Sequence, residues 1–244
     1  MADKKYLKEK NDVLLYDVLD DQARFDIVEA YKSVRTNIMF SLVGEETKLI
    51  CFSSPEPSDG KTINCINLAI TFAQTGAKVL IIDADLRKPR VHRCLKLQSE
   101  PGLTNVLGGF AALPDTLQST FYDNLDVITC GHLPPNPAEL LASDSMGELL
   151  EQLKPNYEYI LIDCPPVNTV TDAAVLSSRV SGVVLVVRQG ISTYDDVEAA
   201  LEKLRFVDFK ILGFLLNDVN EKAGSYGKKY YKRMNYESYA ENRA

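Results

Sequence analysis

The residues best suited to chemistry are Lys61 and Thr62, which follow Gly60 at the end of a short loop. An apolar run at residues 48–52 precedes the loop and an apolar-periodic run follows it, which predicts the order strand, loop and helix. Backbone N–H groups at the beginning of that helix would surround phosphates, while Lys61 would contact the β- and γ-phosphate oxygens and Thr62 would bind Mg²⁺. The predicted nucleotide-binding residues are Pro57, Ser58, Asp59, Gly60, Lys61, Thr62 and Ile63.

This loop departs from the usual phosphate-loop pattern G-x-x-x-x-G-K-[ST], because Pro55 occupies the first glycine position. A loop that contains Gly-Lys-Thr by accident is the alternative interpretation. The strand predicted before the loop and the helix predicted after it make this alternative the weaker one. The acidic residues of two later stretches decide between the two interpretations.

Carboxylates stand at the ends of two further apolar runs. Asp83 and Asp85 follow residues 79–82, and Asp163 follows residues 160–162. The carboxyl ends of parallel strands meet at one edge of a sheet, where these carboxylates can hold Mg²⁺ directly or through its waters. Each could instead cap a helix or accept a structural hydrogen bond, but three in register with a phosphate loop favour one shared site.

These residue types suit phosphoryl transfer, which needs reactants held in position and positive charge around the transferred group. Lys61, Mg²⁺ and Arg87 would supply that charge, and Asp83 could accept a proton from an incoming hydroxyl. For Arg87 an ion pair that anchors its own loop is an equally open interpretation.

The elements that must position these residues form an alternating pattern along a chain of 244 residues, long enough for one α/β domain. Strands are predicted at residues 48–52, 78–83, 125–129, 159–163, 182–187 and 211–216, and loops at 99–123 and 131–137. The strands are apolar throughout, which is typical of a parallel sheet covered on both faces. The predicted fold is therefore a single α/β domain of the P-loop NTPase type, with a mostly parallel central sheet between helices.

The predicted organisation is an N-terminal arm (residues 1–24), a domain (25–220) and a flexible tail (221–244). The domain begins with a helix at residues 25–42. Apolar residues recur along it at helical spacing, namely Ile27, Ala30, Tyr31, Val34 and Ile38. Glu29, Lys32 and Arg35 form a separate ribbon at i, i+3 and i+6, for which a solvated face with weak ion pairs is the simplest explanation.

Composition excludes several classes of protein. The net charge of −7 gives no support to nucleic-acid binding. Five scattered cysteines and two histidines argue against a disulfide framework and a zinc site. No apolar run approaches the roughly 20 residues that span a bilayer, and the charged N-terminus lacks a secretory signal, so we expect a cytoplasmic protein.

Taken together, the motifs resemble those of the bacterial tyrosine kinases that govern capsule and exopolysaccharide synthesis. Residues 57–62 are similar to the Walker A loop of that family, residues 83–87 to its D-x-D-x-R motif, and residues 163–166 to its Walker B motif. Residues 134–141, the helix motif at residues 29–37 and the tyrosine-rich C-terminus extend the resemblance to nearly the whole chain. The combination is specific, whereas each motif alone is less so.

The resemblance implies a role for each matched residue in ATP-dependent tyrosine phosphorylation. Lys61 and Thr62 would bind the phosphates and Mg²⁺, and Asp163 would lie in the Mg²⁺ shell. Asp83 would ligate Mg²⁺ and help to deprotonate the substrate tyrosine, and Asp85 would lie near that tyrosine. The Walker B motif usually has a hydroxyl or another small residue where Cys164 stands, which should change little.

The resemblance also implies a ring of protomers, by analogy an octamer, assembled through the motif that Glu29, Lys32 and Arg35 match. Lys32 replaces the usual arginine and loses its bidentate fork. The tail would be the substrate of a neighbouring protomer, phosphorylated at Tyr226, Tyr230, Tyr231, Tyr236 and Tyr239. An amphipathic helix that packs these tyrosines on the core or on a membrane is the alternative.

The implied partners are a transmembrane activator, which would recruit the chain to the inner face of the membrane, and other tyrosine-bearing proteins. The main rival is a partitioning or positioning ATPase that acts by ATP-driven assembly. Such ATPases usually carry a lysine where this chain has Glu56, which favours the kinase.

Overall fold

The computed structural model describes residues 18–20 and 23–219. The strands are β1 (Lys48–Ser53), β2 (Val79–Asp83), β3 (Leu117–Ser119), β4 (Leu125–Ile128), β5 (Tyr159–Asp163), β6 (Gly182–Arg188) and β7 (Ile211–Asn217). The α-helices are α1 (Phe25–Ser41), α2 (Lys61–Ala73), α3 (Val91–Cys94), α4 (Leu103–Leu107), α5 (Leu113–Thr116), α6 (Pro137–Ala142), α7 (Asp144–Leu153) and α8 (Tyr194–Phe206). Two 3₁₀ helices span Lys154–Asn156 and Ala174–Arg179.

The seven strands form one sheet in the order β3-β4-β2-β5-β1-β6-β7. All neighbouring pairs are parallel except β3 with β4, which is antiparallel. The six strands predicted from apolar runs are therefore confirmed. Strand β3 and helices α4 and α5 lie where only a loop was expected, because elements of three to five residues are too short to show a periodic apolar pattern.

Successive residues of β1 enter two separate cores. Leu49 and Cys51 face the core that includes side chains of α7 and α8, whereas Ile50 and Phe52 face the core that includes α1 and α2. Both faces of the sheet are thus covered, which explains why β1 is apolar at each of the positions 49–52. The predicted fold class is confirmed.

The buried face of α1 includes only some of the apolar residues that recur at helical spacing. Ile38 is buried and Val28, Tyr31 and Val34 pack against the core, but Ile27 is 42% exposed. Ala30 is exposed as well. At about 100° per residue, Ala30 lies outside the stripe through positions 28, 31, 34 and 38, whereas Ile27 lies within that stripe but in the first turn of the helix.

Leu19, within the predicted N-terminal arm, lies against α2. Its N–H donates to Asn67 Oδ1 at 2.9 Å and its carbonyl accepts from the Tyr122 hydroxyl at 2.8 Å. Residues 1–17, 21–22 and 220–244 lie outside the described residues, and with them lies the predicted tyrosine-rich tail. The proposed division into arm, domain and tail remains a prediction.

Candidate active site

The loop between β1 and α2 has the backbone shape of a phosphate loop. Gly60, the residue before α2, has a φ of 97°, and Ser58 has a φ of 73°. Glycine adopts this left-handed region without steric cost, while a residue with a side chain does so rarely. The 13-residue helix α2 follows at once, so its first N–H groups and the positive end of its dipole face this edge of the sheet.

Contacts from distant segments hold the loop in this shape. The Asp59 carboxylate accepts from the backbone N–H of Glu56 at 3.0 Å and from the Ser192 hydroxyl at 2.9 Å. The Asn217 amide donates to the Asp59 carbonyl at 2.8 Å. Asp59 therefore braces the loop through its own side chain.

Lys61, the first residue of α2, points its ammonium at two carboxylates. Its Nζ lies 2.7 Å from Asp85 Oδ2 and 3.4 Å from Asp163 Oδ1, and all three side chains are buried. Burial lowers the pKa of Lys61, but the charges of Asp163 and Asp85 outweigh burial and raise that pKa above its ordinary value. Lys61 is therefore a permanent cation at the centre of the site.

Asp83 and Asp163 stand opposite each other where β2 and β5 end side by side. Burial, and secondly the charge of Asp163, raise the pKa of Asp83 well above its ordinary value. Asp83 accepts from the N–H of Val91 at 3.1 Å, and Asp163 accepts from the Thr62 hydroxyl at 2.6 Å. The strand-end carboxylates thus lie together beside the loop, as the sequence predicted.

These oxygen atoms fit a magnesium-bound nucleotide. Thr62 and Asp163 present a hydroxyl and a carboxylate side by side, which are the hard donors that Mg²⁺ prefers. Among residues 18–20 and 23–219 no group of three His, Cys, Asp or Glu side chains forms a metal cage. A nucleotide site does not need one, because phosphates and waters complete the coordination of Mg²⁺.

Arg87 forms a two-point ion pair across the site. Its Nε and Nη2 donate to the two carboxylate oxygens of Asp172 at 2.9 and 3.0 Å, and Asp172 is fully buried. The partner lies 85 residues away, on the segment after β5, and not in the loop of Arg87 itself.

The three residues of the helix ribbon in α1 make unequal contacts. Lys32 Nζ lies 2.8 Å from Glu29 Oε1 in a half-exposed pair. Arg35 Nη1 donates to the Thr71 carbonyl of α2 at 2.7 Å. Arg35 therefore fastens α1 to α2 and is not simply solvated.

Comparison with known proteins places the chain in a family. A family model described as an AAA domain matches residues 47–208. Over 211 residues the chain is 39% identical to the tyrosine-protein kinase YwqD of Bacillus subtilis, covering 86% of this chain and 85% of YwqD. The chain belongs to the bacterial tyrosine-protein kinase family. The resemblance inferred from the motifs is thereby confirmed.

Solved structures share the fold of this family member. The kinase domain of the Escherichia coli tyrosine kinase ETK matches with a TM-score of 0.78 and 36% identity, covering 81% of this chain and 78% of that chain. The whole curated etk sequence is longer, since this chain spans 27% of it. The septum site-determining protein MinD of Pyrococcus horikoshii, solved with Mg-ADP, matches at a TM-score of 0.60 and 28% identity, covering 72% of each chain.

The part of this kinase that the structure describes contains no helix both long and apolar enough to cross a membrane. The sequence interpretation had missed Asp172, Ser192 and Asn217, which brace the site from other segments. Asn217 is the last residue of β7. It could have been found by the argument that selected Asp83, namely that polar residues at the carboxyl ends of parallel strands meet at one edge of the sheet. No local pattern distinguishes Asp172 or Ser192 from ordinary loop residues.

Proposed function

We propose that this chain transfers the γ-phosphoryl group of ATP to tyrosine hydroxyls with the help of Mg²⁺. The observation that carries the proposal is the buried Lys61 ammonium, held between Asp85 and Asp163 at the mouth of a phosphate loop. Phosphoryl transfer depends mainly on positioning and on charge neutralisation, which these groups supply.

ATP and Mg²⁺ are the proposed cofactors, supported by the donor set and by the Mg-ADP in the related MinD structure. The loop residues 57–63 would bind the phosphates, and Thr62, Asp83 and Asp163 would hold the metal. Bound Mg²⁺ would neutralise charge on the transferred phosphoryl group. The loop shape, with left-handed backbone at Ser58 and Gly60, supports this assignment.

Asp83 is the proposed acceptor of the tyrosine proton. Asp83 is buried where β2 ends, opposite Asp163, and its carboxylate can accept a proton from a hydroxyl placed beside it. Asp85 lies two residues further along and is 4% exposed, at the position expected to meet the incoming tyrosine. Arg87 would add positive charge from a side chain that is 43% exposed although it is paired with Asp172.

The proposed acceptors are the tail residues Tyr226, Tyr230, Tyr231, Tyr236 and Tyr239, phosphorylated by a neighbouring protomer. We propose a ring-shaped homo-oligomer in which α1 contacts the next copy through Glu29, Lys32 and Arg35. Exposed apolar side chains on the same helix support an association surface, with Phe25 at 79% and Phe40 at 75% exposure.

By family resemblance, we further propose that the chain regulates capsule or exopolysaccharide synthesis. It would do so with a transmembrane activator that recruits it to the inner face of the membrane, and it would also phosphorylate other proteins.

Tandem mass spectrometry of the chain from its native cells tests the kinase proposal. We expect phosphotyrosine between residues 226 and 239 in the native chain and none in Lys61→Ala expressed in the same way. Lys78→Ala is the matched control, because Lys78 is an exposed lysine at the opposite edge of the sheet, just before β2. If residues 226–239 of the native chain contain no phosphotyrosine, even when its activator is co-expressed, the kinase proposal is contradicted.

An ATPase that acts by assembly is the second candidate, favoured by the similarity to MinD. Glu56, where such ATPases usually carry a lysine, speaks against it. ATP hydrolysis coupled to dimerisation, without any phosphotyrosine, would support this candidate in place of the kinase.

A further inference from the structure

The segment that follows β2 is strongly basic although the chain as a whole carries a net charge of −7. Residues 87–96 contain five cations and no carboxylate, and all five cations are exposed. They are Arg87, Lys88, Arg90, Arg93 and Lys96. The segment therefore concentrates positive charge at one place on an acidic molecule.

Only one of these five cations has a carboxylate partner among the described residues. The Arg87 guanidinium is paired with the buried Asp172. Within residues 18–20 and 23–219, no carboxylate forms an ion pair with the other four cations. We call this group of four, Lys88, Arg90, Arg93 and Lys96, the basic face.

The backbone of the basic segment is bound to the candidate active site. The N–H of Lys88 donates to Asp85 Oδ1 at 2.9 Å, and the N–H of Val91 donates to Asp83 Oδ2 at 3.1 Å. The side chains of Val91 and Cys94 are buried and hold α3 against the core. The basic face is thus fixed beside the two carboxylates that are proposed to meet the acceptor tyrosine.

We propose that the basic face selects acceptor tyrosines whose neighbouring residues are acidic. This inference rests on the proposed kinase function and names the substrate class of the same site. Several exposed cations on one surface segment attract a carboxylate-bearing peptide and repel a basic one, most strongly at low ionic strength.

The tail of this chain contains both kinds of acceptor. Residues 234–241 carry Tyr236 and Tyr239 with two glutamates and no cation, whereas residues 226–233 carry three tyrosines with four cations. The basic face therefore predicts that Tyr236 and Tyr239 are phosphorylated in preference to Tyr230 and Tyr231.

Two synthetic peptides, residues 226–233 and residues 234–241, test this selection with the full chain and Mg·ATP. We expect the native chain to prefer the acidic peptide, and the double variant Arg90→Gln/Arg93→Gln to reduce the kcat/KM ratio of the two peptides about fivefold to tenfold. In this variant the KM of the acidic peptide should rise while its kcat stays unchanged. In the native chain, 500 mM NaCl should reduce the preference for the acidic peptide in the same way.

The matched control is Lys78→Gln/Arg205→Gln, which removes two exposed cations from the opposite edge of the sheet. This control variant should prefer the acidic peptide to the same extent as the native chain does. Equal kcat/KM values for both peptides in the native chain, or an unchanged ratio in Arg90→Gln/Arg93→Gln, would overturn the proposal. Binding to phosphatidylglycerol vesicles that this variant loses, together with an unchanged peptide ratio, would assign the basic face to a membrane surface instead.

Fluorescence anisotropy separates this inference from the kinase function. If the native chain phosphorylates neither peptide, the kinase proposal fails, but the dissociation constants of labelled peptides still test the basic face. Tighter binding of peptide 234–241 that is weakened in Arg90→Gln/Arg93→Gln supports it, and equal binding of both peptides contradicts it.

Discussion

The ammonium of Lys61 lies 2.7 Å from Asp85 Oδ2, and both side chains are nearly buried. The cation expected to contact the phosphates is thus paired with a carboxylate of its own chain. Phosphate oxygens would share or replace this contact, so we expect Asp85, which is proposed to meet the acceptor tyrosine, to oppose nucleotide binding.

Asp85→Asn should therefore separate nucleotide binding from phosphorylation. We expect the variant to bind a fluorescent ATP analogue at least as tightly as the native chain, because the Lys61 ammonium is freed. Phosphotyrosine formation should fall by about tenfold or more, since the acceptor loses a charged neighbour. The control is Asp123→Asn, because Asp123 is an exposed carboxylate two residues before β4. Weaker nucleotide binding in Asp85→Asn would contradict this account.

The carboxylates of Asp83 and Asp163 should destabilise the chain when no metal is bound. Burial, and secondly the charge of Asp163, disfavour the ionised form of Asp83, as its raised pKa indicates. In EDTA at pH 8 we expect Asp83→Asn to raise the melting temperature by roughly 3 °C. With Mg·ADP the native chain should have the higher melting temperature, because its Asp83 carboxylate is a stronger metal ligand than the asparagine amide of the variant. A lower melting temperature in EDTA would mean that the hydrogen bond from Val91 outweighs the repulsion.

Gly60 should be irreplaceable for two separable reasons. Its φ of 97° strains any residue with a side chain, and an added Cβ would meet Asn217 Nδ2 at 2.1 Å. We expect Gly60→Ala to cost about 2–3 kcal/mol of unfolding free energy and to weaken nucleotide binding. Gly76→Ala is the matched control, because Gly76 has a φ of 92° with open space around it. Urea unfolding should give a smaller loss there, about 1 kcal/mol. Equal losses would show that the contact with Asn217 is unimportant.

The ion pair of Arg87 with Asp172 should behave as a structural link. Arg87→Gln leaves a buried carboxylate without its cation and should cost about 1–3 kcal/mol, discounted because Arg87 is 43% exposed. Asp172→Asn and the double variant complete a cycle in which we expect a coupling of about 1 kcal/mol or more, measured by urea unfolding. If the losses of unfolding free energy in the two single variants simply add up in the double variant, the ion pair is not a structural link. If Arg87→Gln alone abolishes phosphorylation while remaining folded and Asp172→Asn stays active, Arg87 acts directly on the reaction.

Local patterns in the sequence determined the α/β class, the six parallel strands and the residues that meet at their ends. Lys61 and Thr62 followed from the loop, and Asp83, Asp85 and Asp163 from apolar runs that end in a carboxylate. Such features are encoded within about ten neighbouring residues, because a strand covered on both faces must be apolar throughout and a phosphate loop needs its glycine.

The tertiary structure alone decided which distant residues brace that site. Asp172 reaches Arg87 across 85 residues, and Asn217 reaches Asp59 across 158. It also decided that Ile27, in the first turn of α1, stays exposed and that three residues at Leu117–Ser119 complete the sheet. These contacts depend on the order β3-β4-β2-β5-β1-β6-β7, in which strands far apart in the chain become neighbours. Residue spacing cannot reveal such partners, because the free energy that selects them comes from packing between segments rather than from within one.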